Sequence, residues 1–391
     1  MLNSTLSPWP SFTVEEAEAV RNIILSNKVN YWTGTESREF ETEFAKWTET
    51  NYAIALANGT VALDLALNAL GVGSGDEVIV TCRTFLASVS SIATAGAKPV
   101  FADVDVDSQN ITAESVRAVL SPRTKAIVCV HLAGWPCDMD PIMALANEFG
   151  LFVIEDCAQA HGAHYKGRPL GSIGHVGAWS FCQDKIMTTG GEGGMVTTND
   201  RELWSRMWSF KDHGKSWEAV YERDHPPGFR WLHESFGTNW RMTEMQAAIG
   251  RIQLRHMEEW HHKRVNNANR ILDAARNISV YRVPEVPESA DHAWYKCYVF
   301  VREDALKTSW NRDRLMQEIN AQGIPCYSGI CPEVYLEKAF EGTDYRPSKR
   351  LQVARKLGET SLMFLVHPTL TDDEISATCK AIVIAGKRAT R

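Results

Sequence analysis

The position of Lys185 suggests covalent chemistry on a carbonyl compound. This lysine follows a short apolar segment, GAWSF (177–181), and precedes the glycine-rich turn GGEGG (190–194). A lysine confined between a strand end and such a turn is partly stripped of water. Loss of hydration makes its amine a better nucleophile toward a carbonyl carbon. Most lysines lie at the protein surface, so the position favours a Schiff-base lysine without establishing one.

Two further motifs place polar groups where a ligand could bind. In IEDCAQAHG, Asp156 ends an apolar strand, at the edge where open α/β sheets bind ligands. In LANGTVAL, a strand ends at Asn58, and Gly59 and Thr60 open a helix whose free N–H groups suit a phosphate. Taken alone, the Asp156 motif is equally consistent with a capping or salt-bridged carboxylate. The Gly59–Thr60 motif is equally consistent with an ordinary capped turn between a strand and a helix.

A fourth segment, GTNWRMTEMQAAIG (237–250), opens a long helix for which Thr243 is the predicted N-cap. Asn239 and Arg241 precede that cap. Their residue types suit ligand contacts, and they are equally typical of an exposed loop.

Histidines near Asp156 raise the alternative of a metal-dependent hydrolase. His131, Asp156, His161 and His164 are all possible ligands. Their spacing matches none of the common zinc patterns, so we predict that the protein holds no metal.

Apolar strands alternate with helix-length segments over the first 200 residues, which predicts an α/β fold with a mostly parallel sheet covered by helices. The predicted strands are AIALAN (53–58), EVIVT (77–81), KPVFADV (98–104), KAIVCVHL (125–132), LFVIED (151–156), GAWSF (177–181) and GMVTT (194–198).

The alternation stops near residue 200. A long loop rich in Trp, Pro and Gly (215–238) precedes one long predicted helix (243–276), and a Pro-punctuated linker leads to a smaller α+β region. We therefore predict a large ligand-binding domain over 1–260, with helices at its N-terminus, and a smaller C-terminal domain over 261–391.

Composition excludes several classes of protein. The 391 residues are 44% hydrophobic and 23% charged, which is ordinary for a globular chain. A net charge of −7 disfavours nucleic-acid or membrane-surface partners, and no apolar run is long enough to span a bilayer. The nine cysteines are scattered without a pairing pattern, which predicts reduced thiols and a cytoplasmic location.

Together, the four motifs resemble the DegT/DnrJ-type nucleotide-sugar aminotransferases, which depend on pyridoxal 5'-phosphate (PLP) and have the fold type I architecture. The resemblance extends over about residues 12–370. It is most specific in EDCAQAHGAHYKGRPLGSIGHVGAWSFCQDKIMTTGGEGGMVTTND, and it is also clear in GTNWRMTEMQAAIG and CRTFLASVSSIATAGAKPVFADVD.

The resemblance implies a role for each motif residue. Lys185 would bond covalently to the cofactor, Asp156 would pair with its ring nitrogen, Gln159 would lie near its phenolic oxygen, and Phe85 would stack on its ring. A carboxylate beside the ring nitrogen keeps that nitrogen protonated, as the chemistry of this cofactor requires.

The remaining cofactor contacts concern the phosphate. By resemblance, Gly59, Thr60 and Ser180 hold it, and Asn239 reaches it from the second subunit of a homodimer with shared active sites. Family members that remove a sugar hydroxyl instead of aminating it carry His at the lysine position, so Lys185 favours amination.

The resemblance further implies the substrates. L-glutamate would donate the amino group to a keto carbon of a nucleotide-linked 6-deoxyhexose. The favoured position is C4, in a sugar such as UDP-2-acetamido-4-keto-6-deoxyhexose. Such products enter aminosugars of lipopolysaccharide or other glycans. Transfer to C3 is the alternative. The residues expected to contact substrate are Trp32, Thr33, Arg241 and His367.

Overall fold

A seven-stranded sheet forms the centre of the larger part of the molecule in the computed structural model, which describes residues 6–391. The strands are β1 (Tyr52–Leu56), β2 (Glu77–Thr81), β3 (Lys98–Ala102), β4 (Thr124–Val130), β5 (Phe152–Asp156), β6 (His164–Tyr165), β7 (Arg168–Pro169), β8 (Val176–Ser180), β9 (Gly194–Thr198), β10 (Tyr281–Arg282), β11 (Ala290–Asp291), β12 (Cys297–Val301), β13 (Cys326–Tyr327) and β14 (Ser361–Phe364).

The helices that follow or flank these strands are α1 (Val14–Ser26), α2 (Glu36–Trp47), α3 (Gly59–Ala69), α4 (Ala87–Thr94), α5 (Ala113–Arg117), α6 (Met139–Phe149), α7 (Arg201–Phe210), α8 (Trp217–Tyr221), α9 (Glu244–Arg255), α10 (Met257–Arg276), α11 (Arg312–Asn320), α12 (Gln352–Thr360) and α13 (Asp372–Ala389). Among residues 6–391, no helix is long and apolar enough to cross a membrane.

The order of the large sheet is β1-β9-β8-β5-β4-β2-β3. Strands β8, β5, β4, β2 and β3 run parallel, and β9 is antiparallel to both of its neighbours. The inner strands are apolar on both faces because helices cover both sides; Val78, Ile79 and Val80 of β2 are fully buried. The predicted α/β fold with a mostly parallel mixed sheet is confirmed.

The C-terminal part of the chain builds a second, smaller sheet. Its order is β10-β12-β14-β13, all antiparallel, and α13 packs against α10 and α11 beside it. A third small sheet has the order β11-β6-β7. Two hydrophobic cores result, and α10 contributes to both, through Met257 to the first and through Ile271 to the second. The domain boundary at 260/261 stays a prediction.

Two predicted elements differ from the structure. The long helix over 243–276 is two helices that meet at His256 (φ −92°, ψ −4°), where the hydrogen-bond pattern changes: its amide donates to the carbonyl of Gln253, three residues back. The loop over 215–238 contains α8, whose N-terminus is capped by the Ser216 hydroxyl. The predicted cap at Thr243 is present as a full capping box with Gln246.

A buried hydrogen-bonded pair holds β4 to β5 and to the turn before β8. Nε2 of His131 lies 3.1 Å from Glu155 Oε2, and both side chains are fully buried. The Glu155 carboxylate also accepts backbone N–H bonds from Gly171, Ile173 and Gly174 at 2.7–3.0 Å. Burial alone would raise the pKa of Glu155, but the hydrogen bonds from His131 and from the backbone of Gly174 and Gly171 outweigh it and hold that pKa below its usual value.

We expect Glu155→Ala to destabilise the fold by about 3–5 kcal/mol, because it leaves a buried histidine and three N–H groups without their acceptor. The free energy of unfolding in urea measures the loss. Because the folded-state pKa is lowered, the contribution should be complete above about pH 4.3 and be lost as the pH falls further. Glu148→Ala, which removes an exposed pair with Arg117, is the matched control and should leave the urea curve nearly unchanged. Equal stability of the two variants would contradict this account.

Candidate active site

A cavity of about 790 Å³ opens at the edge of the large sheet where β5 and β8 end. The start of α3 borders it on one side, and the C-terminal part of the chain borders it through residues 295–298, 329–330 and 363. This is the edge at which open α/β sheets bind ligands. The predicted residues that line the cavity are Gly59, Thr60, Phe85, Asp156, Gln159, Ser180 and Lys185.

The start of α3 forms a cradle with the end of β8. Asn58 caps the helix, its Oδ1 accepting from Val61 N at 3.0 Å, so the N–H groups of the first residues remain available. A Cβ on Gly59 would lie 2.5 Å from the Cβ of Ser180, so only glycine allows this approach. Helix N–H groups beside the hydroxyls of Thr60 and Ser180 suit a phosphate.

Asp156 is 5% exposed and carries two hydrogen bonds. Its Oδ2 accepts from the Ser88 hydroxyl at 2.7 Å, and its Oδ1 accepts from Ala158 N at 3.1 Å. The hydroxyls of Ser88 and Thr84 are 2.9 Å apart. None of the salt bridges formed by residues 6–391 includes Asp156. A buried carboxylate without a cation from the protein suits a cationic ligand atom.

Gln159 and Phe85 provide the other two predicted ring contacts. The Oε1 of Gln159 accepts from Ala133 N at 2.8 Å, which fixes the amide and leaves its NH₂ group as the donor available to a ligand. Phe85 is 66% exposed although it is a large apolar side chain at the cavity wall. An exposed aromatic face in a cavity suits stacking on a flat ring.

Lys185 lies in the turn after β8, and its backbone is held from two directions. Its N–H donates to Cys182 O at 3.1 Å, and its carbonyl accepts from the indole of Trp9 at 2.8 Å. Its ammonium group lies 5.3 Å from the centroid of the Tyr295 ring. No side chain of the described residues forms a salt bridge with Lys185, so its amine is free to react with a ligand.

Three of the predicted substrate residues lie outside the lining of this cavity. Trp32 packs edge-on against Trp208, with the ammonium of Lys215 at 4.0 Å from its ring. Thr33 lies beside it in the turn before α2. Arg241 forms a 2.7 Å salt bridge with the fully buried Asp212.

Asn239 and His367 are also outside the lining. Asn239 is exposed and forms an isolated antiparallel bridge with Asp212, next to the bridge between Leu56 and Arg241. His367 stacks on Trp9 at 6.0 Å, and burial lowers the pKa of His367 to about 3. The single chain therefore brings together the predicted cofactor residues except Asn239, and leaves the predicted substrate residues apart from them.

The residues considered as metal ligands are engaged elsewhere. His131 bonds to Glu155, and His164 lies 3.3 Å from Asp291. His161 is buried between Trp179 and Phe181, and burial lowers its pKa to about 3. Within 6–391 the sole group of three ligand types at metal-binding distances is His131, Glu155 and Cys157, and the carboxylate of that group already accepts four hydrogen bonds. Nothing in this arrangement favours a hydrolase metal centre.

The profile of the DegT/DnrJ/EryC1/StrS aminotransferase family matches residues 10–383. This chain belongs to that family. The crystal structure of the aminotransferase from Psychrobacter cryohalolentis is 64% identical to it, covers 98% of this chain and 99% of its own, and superposes with a TM-score of 0.97.

Two curated relatives extend the family match. The GDP-perosamine synthase of Escherichia coli O157:H7 is 35% identical over 379 residues, covering 95% of this chain and 96% of that protein. The dTDP-3-amino-3,4,6-trideoxy-alpha-D-glucose transaminase of Streptomyces venezuelae is 34% identical over 362 residues, covering 93% and 89%.

As a member of the DegT/DnrJ/EryC1/StrS family, the protein is a PLP-dependent aminotransferase. The site fits that cofactor on its own chemistry. The cradle of Gly59 and Ser180 suits a phosphate, the uncompensated carboxylate of Asp156 suits a protonated ring nitrogen, and Lys185 supplies an amine. The role of each residue remains a proposal, developed below.

Sequence reasoning missed several residues of the cavity wall. Ser88, which holds Asp156, lies on α4 next to the predicted Phe85, so the run CRTFLASVSS was the available signal. Tyr295 and Lys296 come from the C-terminal part of the chain. A lysine beside the apolar run CYVFV is unusual, yet nothing local indicates which cavity it reaches.

We expect Gly59→Ala to weaken PLP binding, because the added methyl group would overlap Ser180 and push the start of α3 away from β8. The loss should be about tenfold or more in the cofactor dissociation constant, measured by fluorescence titration of the apoenzyme. Gly73→Ala is the control, since its new methyl group would meet only one backbone atom, at 3.8 Å. Equal cofactor affinity in both variants would refute the cradle.

Proposed function

We propose that this enzyme transfers the amino group of L-glutamate to the keto carbon of a nucleotide-linked hexose. The supporting observation is the convergence of Lys185, Asp156 and the Gly59–Ser180 cradle in one cavity, in a chain that matches sugar-nucleotide enzymes over nine-tenths of its length. The favoured acceptor is a 4-keto-6-deoxyhexose, such as the UDP-linked 2-acetamido sugar. Its product would serve the cytoplasmic synthesis of aminosugars for lipopolysaccharide or other glycans.

Transfer to C3 is a second candidate. The name of the S. venezuelae relative places the amino group at C3 of a dTDP-linked sugar, whereas the E. coli relative is named for a GDP-linked product. Both relatives match this chain with nearly equal identity. Their names therefore favour neither nucleotide and neither position of the amino group for this enzyme.

When bound, PLP supplies a carbonyl group that accepts the amine and a ring that delocalises the charge left at the reacting carbon. Asp156 would hold the ring nitrogen as a cation, because burial without a protein cation makes an ion pair there favourable. The helix N–H groups at Gly59 and the Ser180 hydroxyl would hold the phosphate. In the first half-reaction the amine of Lys185 would take a proton from the α-carbon of the donor, and in the second it would deliver a proton to the former keto carbon of the sugar.

The 213–240 segment supports a dimer with shared sites. Phe229, Trp231 and Phe236 are 78, 81 and 99% exposed, which places three large apolar side chains of this segment in solvent in the single chain. A second copy is the occupant that this proposal assigns to them. The exposed Asn239 at the end of the same segment would then reach the partner's cofactor phosphate, as the family resemblance implies.

A panel assay tests the acceptor. Holoenzyme with L-glutamate is incubated with UDP-, dTDP- and GDP-linked 4-keto and 3-keto sugars, and NMR of the product locates the new amine. Amination at C4 supports the first candidate and amination at C3 the second. If no keto sugar is aminated, the proposal is wrong.

Lys185→Ala should abolish turnover by at least about a thousandfold, because it removes the group that moves the proton. Its cofactor should also no longer be fixed to the protein by borohydride, which mass spectrometry of the intact chain measures. Lys349→Ala, at an exposed lysine outside the cavity, is the matched control and should behave like the wild type. Turnover of Lys185→Ala near the wild-type rate would exclude the assigned role.

Mixed dimers test the shared site. Lys185→Ala and Asn239→Ala chains are each shown to be impaired and are then co-expressed. One site of the mixed dimer lacks both residues and the other retains both, so activity should return to up to about half the wild-type value per mixed dimer. The molar mass from light scattering establishes the dimer independently. A mixed dimer that stays inactive would mean that each site is built from one chain.

A further inference from the structure

A second lysine lies in the same cavity as Lys185 and is used by none of the roles above. Lys296 lines the cavity next to Tyr295, and its side chain is 12% exposed. The ammonium groups of Lys185 and Lys296 lie against the same aromatic ring, 5.3 and 4.5 Å from the Tyr295 centroid. Both amines therefore belong to the part of the cavity that Tyr295 borders, and the charge of Lys185 acts on Lys296.

The only carboxylate close to Lys296 among the described residues is engaged elsewhere. Asp184 Oδ2 accepts a 2.7 Å hydrogen bond from the Tyr295 hydroxyl, whereas it lies 4.0 Å from the Lys296 ammonium. Within residues 6–391, Lys296 donates no hydrogen bond, so its three N–H donors remain available to a ligand. Burial lowers the pKa of Lys296 to about 8 against the attraction of Asp184, and the charges of Arg264 and Lys185 lower it further.

A third cation lies behind this part of the cavity. Arg264 on α10 is 1% exposed, and its Nη1 donates only to the carbonyl of Trp294 at 3.3 Å, while its Nε and Nη2 have no partner in the described chain. Its guanidinium packs on Trp9 and forms no salt bridge with any of residues 6–391. Burial lowers the pKa of Arg264 to about 9. Lys296 and Arg264 are thus two buried cations whose charges interact, and within residues 6–391 neither has a carboxylate at hydrogen-bond distance.

We propose that Lys296 binds the α-carboxylate of the amino-acid donor, with Arg264 adding positive potential from behind the cavity wall. The inference rests on the proposed function. In an amino acid the carboxylate is bonded to the same carbon as the amine, so its anchor must lie beside the lysine that moves the proton. Lys296 meets that requirement through the shared Tyr295 ring. In a nucleotide sugar the diphosphate is attached at C1, several bonds from a keto carbon at C3 or C4, and needs an anchor farther away.

The same arrangement accounts for Asp184. Its bond to the Tyr295 hydroxyl fixes the ring against which both ammonium groups lie. At 4.0 Å from Lys296 it is close enough to favour the charged amine and too far to occupy its donors. The N–H donors of Lys296 are therefore available to an anion that enters the cavity.

The test uses Lys296→Met, Lys296→Arg and the control Lys349→Met, each as holoenzyme. Calorimetry measures binding of glutarate, a dicarboxylate with no amino group to transfer, and of its neutral diamide. Loss of one partner of a buried charge pair should weaken glutarate binding by about thirtyfold or more in Lys296→Met. Lys296→Arg should recover most of the affinity, the control should match the wild type, and the diamide should bind equally weakly to all.

Measuring the two half-reactions separately shows whether Lys296→Met weakens the binding of the amino-acid donor or that of the keto sugar. The conversion of the holoenzyme by L-glutamate is monitored by visible absorbance. In Lys296→Met, half-maximal conversion should require a glutamate concentration raised over the wild type by a factor similar to the loss of glutarate affinity. Reaction of the aminated enzyme with the keto sugar should change by less than about threefold. If Lys296→Met fails to fold by circular dichroism, Lys296→Gln replaces it in both measurements.

Two results would overturn the inference. One is glutarate binding that is absent in the wild type or unchanged in Lys296→Met and Lys296→Gln. The other is a loss confined to the keto-sugar half-reaction, which would mean that Lys296 contacts the sugar. Both leave the proposed function intact, because the panel of keto sugars tests it with the wild-type enzyme alone.

Discussion

Asp156 is buried at the end of β5 with two hydrogen bonds and without a cation from the described chain, and this charge constrains its surroundings. An isolated carboxylate in the interior is costly unless donors and an opposite charge surround it. Ser88 and the backbone of Ala158 supply the donors. Since no cation of the described residues forms a salt bridge with Asp156, the balance is left to a bound cationic atom, which is what a protonated pyridine ring provides.

The sheet meets this constraint by topology. Strands β4, β5 and β8 run parallel and end at one edge, so Asp156 and Ser180 are neighbours although 24 residues separate them. The antiparallel strand β9 then lies between β1 and β8, which brings the turn at Asn58 and Gly59 beside Ser180. The close approach of Gly59 is thus a consequence of strand order. The buried pair of Glu155 and His131 reinforces the same edge from the opposite face of β5.

This topology also explains which residues could be predicted from the sequence. Asp156, Ser180, Gly59 and Lys185 follow strand ends or turns that the hydrophobic pattern reveals, and parallel strand ends meet at one edge. Tyr295 and Lys296 could not be found in this way. Tyr295 contacts Asp184 across 111 residues of sequence, and the connection depends on how the C-terminal part packs. The break at His256 was missed because its neighbours have uniform helical periodicity and no proline or glycine marks it.

The cavity and its wall contain two sets of buried charged groups, of opposite sign, that the described residues do not fully pair. Among the described residues, Asp156 is an anion without a salt bridge, whereas the cations Lys185, Lys296 and Arg264 form between them one salt bridge, from Lys296 to Asp184 at 4.0 Å. Burying either set without a partner lowers the stability of the ligand-free protein, so each ligand that restores the balance gains binding energy. The pyridine cation of the cofactor would pair with Asp156, and the carboxylate of an amino acid would pair with Lys296. On this account the amino-acid donor binds most tightly once the cofactor is bound at Asp156. The charge that is still uncompensated is then positive, and it attracts the carboxylate of the donor.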